Sequence, residues 1–124
     1  MTAFAAVTGV LKTYLDGLYH ADVERLGIAL HPNAIYATAD ETPLLYYTMD
    51  QYFPVVAKRV SPASRNEPRR DSIEAIEFAG ENTAFARVRC SIGTKDFVDF
   101  LTLVRTDGTW RIMAKIFQIT ERET

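Results

Sequence analysis

Residues 96–119 read DFVDFLTLVRTDGTWRIMAKIFQI, two apolar-rich runs broken once, at Asp107-Gly108. An Asp-Gly pair between such runs is the strongest short-range hairpin signal, because a type I′ turn needs positive φ at both central residues. A two-residue loop there pairs Thr106 with Thr109, Arg105 with Trp110, Leu103 with Ile112 and Asp99 with Ile116. Alternation then puts Phe97, Asp99, Leu101, Leu103, Trp110, Ile112, Ala114 and Ile116 on one face of the hairpin. Val98, Phe100, Thr102, Val104, Arg111, Met113, Lys115 and Phe117 fall on the other. Both faces are largely apolar. The sheet is therefore expected to be covered on both sides, by helices on one and by a partner, such as a second subunit, on the other.

The preceding chain supplies the helices. Phe4, Val7, Leu11, Tyr14, Leu15 and Leu18 recur at helical spacing and predict a helix over about residues 2–19, weakened slightly by Gly9 and by Gly17 near its end. Asp22 is a good N-cap for a shorter helix that buries Val23, Leu26, Ala29 and Leu30. His31-Pro32 stops it, since the residue before proline is pushed out of the helical region. Residues 33–39 read as a strand, 40–43 as a turn and 44–47 as a short strand. Thr48-Met49-Asp50-Gln51 has the form of a capping box and starts a third helix, which Pro54 should bend.

Residues 61–71, SPASRNEPRRD, predict an exposed loop at the edge of a pocket. A strand over 72–78 slips its alternation near Ala75-Ile76, which predicts a bulge. Residues 80–82 turn the chain. Ala84, Ala86, Val88, Cys90 and Ile92 then alternate with Phe85, Arg87, Arg89 and Ser91 as a long strand leading into the hairpin. Helices in the first half and antiparallel strands in the second make this an α+β domain, its helices on one face of a curved sheet.

Composition narrows the function little. The 124 residues are 48% hydrophobic and 24% charged, as in an ordinary globular domain, with a net charge of −2 that gives no electrostatic reason to expect nucleic acid or an anionic membrane. No apolar run reaches the ~20 residues of a membrane span. The N-terminus lacks the basic region of a signal peptide, so a cytoplasmic location is expected. Cys90 is the only cysteine and reads as a small buried hydrophobe. His20 and His31 share no ligand spacing with Asp or Cys, so no metal is expected; His31 reads as a helix-end residue and His20 as a surface one. Nucleotide-cofactor and nucleophile motifs are absent, and no cofactor is expected.

Asp99 is the most informative residue. It stands mid-strand among Phe97, Leu101 and Leu103, and a buried carboxylate must be hydrogen-bonded, paired or protonated. It reads either as a pocket acid that donates a hydrogen bond to a ligand or as a structural group satisfied by an arginine or tyrosine. Tyr14, on the buried helix face, projects its hydroxyl toward the sheet. Tyr19, Tyr36, Tyr46, Tyr47 and Tyr52 offer aromatic walls for a flat ligand. Lys115 falls opposite Asp99 unless a bulge intervenes, where it would meet Glu74 or Glu77 at a dimer interface. Arg87 and Arg89 share a strand face and either bind an anion or form surface ion pairs.

YLDGLYHADVERLGIALHPNA (14–34) and FVDFLTLVRTDGTWRIMAKIF (97–117) together resemble the nuclear transport factor 2-like (NTF2-like) superfamily, closest to the branch called "putative lumazine-binding", near the SnoaL-like proteins. The resemblance runs from about Leu11 to Gln118 and is most specific at Gly17, Asp22, Leu26, His31-Pro32, Asp99, Asp107-Gly108, Trp110 and Lys115. It implies a cone: a curved six-stranded sheet around three helices, an apolar pocket in the mouth, and homodimers packed through the convex sheet face. The superfamily includes ketosteroid isomerase and polyketide cyclases. Against the isomerases, Tyr14 matches the oxyanion tyrosine, Thr38 stands where the aspartate base belongs, with Asp40 two residues on, and Asp99 lies near the protonated aspartic acid.

Three readings follow. The first is a homodimer binding a small apolar or aromatic ligand through Tyr14, Tyr36, Thr38, Tyr52, Asp99, Leu101 and Trp110. The second is a cofactor-free isomerase, dehydratase or cyclase with Asp40 or His20 as base and Tyr14 and Asp99 as hydrogen-bond donors. The third is an interaction module whose cone is filled by its own side chains.

Overall fold

The computed structural model describes residues 1–123. Three helices, α1 (Ala3–His20), α2 (Val23–Ala29) and α3 (Met49–Ala57), pack in the concavity of a six-stranded sheet. Its strands are β1 (Leu30–Thr38), β2 (Leu45–Thr48), β3 (Ser72–Ala79), β4 (Thr83–Ile92), β5 (Lys95–Thr106) and β6 (Thr109–Glu121). The spatial order is β2-β1-β6-β5-β4-β3, antiparallel throughout except that β1 runs parallel to β6. This is the α+β arrangement that the element order predicts, in the cone form that the resemblance implies.

Local chemistry sets the helix ends. Thr2 accepts the Ala5 N–H at 3.1 Å, and Asp22 accepts those of Glu24 and Arg25 at 3.0 and 3.3 Å. Thr48 N–H donates to Gln51 Oε1 at 2.9 Å, the return half of the capping box. Pro54 sits inside α3. Gly17 is a packing requirement: a Cβ there would lie 2.8 Å from Leu26 Cδ2 and 3.2 Å from Leu26 N, so α1 and α2 meet this closely only because the side chain is missing. The extended chain begins earlier than expected, at Leu30, so Leu30 opens β1 instead of lying within α2, and His31 and Pro32 lie within the strand. The bulge in β3 lies at Glu74, one residue before the predicted slip, and there Glu74 takes both Arg87 (3.2 Å) and Arg89 (2.6 Å) as surface ion pairs.

The β5–β6 hairpin corrects the predicted register. Asp107 (φ 51°) and Gly108 (φ 76°) form the two-residue turn, and Thr106–Thr109, Arg105–Trp110 and Leu103–Ile112 pair as expected. Thr102 then pairs with Ala114, leaving Met113 as an extra residue. Beyond this bulge every side chain changes face. Asp99 pairs with Phe117 rather than Ile116, and Lys115 and Phe117 turn into the cone while Ala114 and Ile116 turn out. Alternation could not reveal this, because residues 112–117 are apolar at every position but one.

The predicted loop over 61–71 contains one 3-10 turn (Ala63–Arg65) and is tied down at its end. The Glu67 carbonyl accepts the Tyr19 hydroxyl at 2.6 Å, and Glu67 Oε1 accepts the Gly93 N–H at 2.9 Å. Arg69 lies over the Tyr19 ring and pairs with Asp16 at 3.0 Å. The loop thus clamps α1 to the β4–β5 turn. It does not line the cavity in the mouth of the cone.

Candidate functional site

The bulge assembles the site. On β5, Phe97 and Asp99 point inward; on β6, Lys115, Phe117 and Ile119 do; β1 adds Tyr36, and Tyr14 and Tyr52 descend from α1 and α3. Asp99 and Lys115 are diagonal neighbours across the β5–β6 ladder, close enough for long side chains to meet.

Asp99 is fully buried. Its Oδ2 accepts the Tyr14 hydroxyl at 2.5 Å, and Lys115 Nζ, also buried, stands 3.7 Å from the same oxygen. The ammonium is boxed by aromatic rings, 4.9 Å from the centroids of Tyr36 and Phe117 and 5.3 Å from that of Tyr14. Tyr36 stacks on Tyr52 at 4.4 Å. Asp99 Oδ1 and the Tyr52 hydroxyl are buried without a hydrogen-bond partner among the described residues.

Electrostatics fix the roles. Burial, followed by the Asp99 charge, raises the Tyr14 phenol well above its ordinary range, so Tyr14 is a neutral donor. Burial disfavours the Lys115 ammonium, but Asp99 and then the surrounding tyrosines more than offset it and raise its pKa overall. Asp99 thus favours the ammonium form of Lys115 over the free amine a nucleophile would need. Burial likewise pushes the Cys90 thiol up, away from thiolate chemistry.

Above this cluster lies a cavity of about 250 Å³. Tyr36, Tyr47, Phe97, Phe117 and Val55 of α3 line it, and we take Tyr36 and Phe117, the two lining rings that also touch Lys115, as its floor. Arg59, Lys95 and Glu41 stand at its rim. The two floor rings therefore separate the cavity from the Lys115 ammonium.

The residues named from sequence distribute unevenly. Tyr14, Asp99, Tyr36 and Tyr52 converge. Leu101 pairs with Lys115 and is buried beneath them. Thr38 is buried too, but its hydroxyl donates to the Phe117 carbonyl at 2.7 Å and accepts the Asp40 N–H at 3.1 Å, bracing β1 against β6. Asp40 is exposed and accepts the Ile119 N–H at 2.9 Å. His20 is exposed at the end of α1, edge-on to Tyr19 at 5.2 Å. Neither reaches the Tyr14–Asp99 pair. Trp110 lies beside the hairpin turn, packed edge-on against Phe78 and lining a separate groove with Val10 and Ile28.

Lys115 belongs inside the cone, as the partner of Asp99, and not on the outer face with Glu74 or Glu77. The bulge is the reason. Phe97, Phe117 and Arg59 carry no distinguishing signal: each phenylalanine is one of many apolar strand residues, and a single arginine after a helix has no pattern. Among the described residues no group of three or more His, Cys, Asp or Glu is placed to hold a metal, and no helix is long and apolar enough to cross a membrane.

The fold recurs in solved structures. An NTF2-like protein of unknown function from Shewanella baltica superposes with a TM-score of 0.83 at 24% identity, covering 97% of this chain and 98% of that one. Another from Silicibacter pomeroyi gives 0.80 at 23% identity, covering 97% and 100%. A ketosteroid isomerase-like protein from Erwinia carotovora gives 0.72 at 11% identity, covering 94% and 95%. No curated protein matches. The family model described as "Putative lumazine-binding" matches residues 2–118. The chain belongs to that family, and it shares its fold with the NTF2-like structures above.

Proposed function

We propose that the cavity in the mouth of the cone binds a small planar molecule, about two fused rings in size, without turning it over. The observation that carries this is the cavity itself, with an aromatic floor of Tyr36 and Phe117 and aromatic walls of Tyr47 and Phe97. Flat rings stack favourably on such surfaces. At about 250 Å³ it falls just below the ~300–1,000 Å³ of drug-sized sites, which suits a bicycle better than a four-ring steroid. Lumazine, in the family's description, is a planar bicycle. The isomerase, dehydratase or cyclase reading has less support: Tyr14 donates to Asp99 rather than toward the cavity, Thr38 holds a backbone carbonyl, and Asp40 and His20 stand outside.

Calorimetric titration with 2-naphthamide, a neutral planar bicycle, tests the reading. Saturable one-to-one binding is expected, weakened about tenfold or more (about 1.4 kcal/mol) by Val55→Trp, whose side chain reaches across the opening. Absence of binding, or binding indifferent to Val55→Trp, contradicts it.

A second reading concerns the outer sheet face, and we propose that two copies of the chain pack through it. Phe100, Ile116, Ala37 and Tyr46 are paired successively across β5, β6, β1 and β2, a continuous apolar row. Phe100, Ile116 and Tyr46 are each about half exposed, which is costly for a row of this kind left in water. Sedimentation at micromolar concentration should show a dimer, and Phe100→Glu a monomer; a wild-type monomer overturns the proposal.

A further inference from the structure

The cavity's charges narrow its ligand class further. Arg59 follows α3, its N–H still donating to the Val56 carbonyl at 3.0 Å, and its half-buried side chain lines the rim. Arg69, Arg87, Arg89 and Arg122 each hold a carboxylate, whereas Arg59 makes no ion pair or side-chain hydrogen bond among the described residues. Lys95, which also lines the cavity at the start of β5, is likewise without an ion pair among them. Among the described residues Glu41 is the one acidic group lining the cavity, and like Lys95 it is exposed.

The floor has the same polarity. The Lys115 ammonium abuts both floor rings at 4.9 Å, and a cation draws π density toward itself. What these two rings expose to the cavity is thereby made more receptive to an electron-rich or anionic partner, although Tyr36 is itself stacked against Tyr52 and Tyr47. Apolar walls beside the half-buried Arg59 guanidinium strengthen this bias, because such surroundings screen its charge less than water does, whereas Lys95 is exposed and adds only a screened attraction.

Resting on the pocket reading above, we propose that the ligand is a planar conjugated anion. Its rings stack on Tyr36 and Phe117, and its carboxylate, or an equivalent anionic group, is held by the Arg59 guanidinium with Lys95 at the rim. Arginine suits this role because its planar fork matches a carboxylate with two parallel hydrogen bonds.

The experiment compares 2-naphthoate with 2-naphthamide, similar in shape and different in charge, in the full chain at low salt. The naphthoate should bind at least about tenfold tighter, a typical gain for a charge-assisted contact. Arg59→Gln should bring the ratio of the two affinities close to one, and Arg59→Lys should restore part of it. A wild-type ratio near one overturns the charge inference while leaving the pocket in place. A tenfold ratio that survives both Arg59→Gln and Lys95→Gln overturns the assignment of these residues. If neither probe binds, the pocket reading itself falls, and this inference with it.

Discussion

Asp99→Ala should destabilise the protein by about 3–5 kcal/mol, the cost of removing one partner from a buried ion pair. The deletion leaves the Lys115 ammonium inside the cone with only ring faces around it, and strips the Tyr14 hydroxyl of its acceptor. Domains of this kind are stable by only ~5–15 kcal/mol, so at least about a fifth of the margin goes. Tyr14→Phe removes a hydrogen bond but not the charge pair and should cost less, about 1–2 kcal/mol. The combination separates a charge effect from a packing effect. A triple variant with Tyr14→Phe, Asp99→Leu and Lys115→Met replaces the cluster by apolar groups of similar size, and should recover to within about 2 kcal/mol of wild type, because a buried ion pair contributes little net stability over a packed apolar equivalent. Urea unfolding of the variants measures this. A loss under 1 kcal/mol for Asp99→Ala, or a triple variant as unstable as the sum of its parts, contradicts the account.

Stability should also fall steeply on the alkaline side. Cys90, Tyr14 and Lys115 are all buried and all have folded-state pKa values above their ordinary 9.0, 10.0 and 10.5. For a group whose pKa is raised on folding, the stabilisation is fully present below the unfolded pKa. Above it, the unfolded chain releases a proton that the folded chain keeps, so the folded state loses ground as pH rises toward the folded value. The three windows open in the order of the ordinary values: Cys90 from about pH 9, then Tyr14, then Lys115, whose ammonium Asp99 holds in the folded chain. Urea midpoints measured from pH 7 to 11 should therefore be flat at first and decline beyond about 9. Cys90→Ala should move the onset upward by roughly one pH unit, to where Tyr14 begins. A midpoint that holds level to pH 11, or an onset unchanged by Cys90→Ala, contradicts the burial of these groups.

Much of the fold could be read from the chain, because its strongest signals are local. Asp107-Gly108 fixes a turn through backbone sterics alone, Asp22 and Thr48 through Gln51 mark helix starts, and the α1 apolar stripe buries as written. What the sequence hid was the extra residue at Met113. A bulge inside a run that is apolar on both faces leaves no break in alternation, so one slipped register moved Lys115 and Phe117 to the wrong side. The site suffered for the same reason. Asp99 was recognisable as a buried acid requiring a partner, and a tyrosine neighbour was one of the two expected. The cation that completes the pair could not be placed without the register. Arg59 and Lys95 meet only in three dimensions, since the rim is built from the end of α3 and the start of β5.

The most direct test of the pocket is a crystal structure of the protein grown with 2-naphthamide. The account predicts a flat bicycle stacked over Tyr36 and Phe117, between Tyr47 and Phe97, with the Tyr14–Asp99–Lys115 cluster intact beneath the floor. A cavity closed by its own side chains, or the probe seated only elsewhere on the protein, would contradict it.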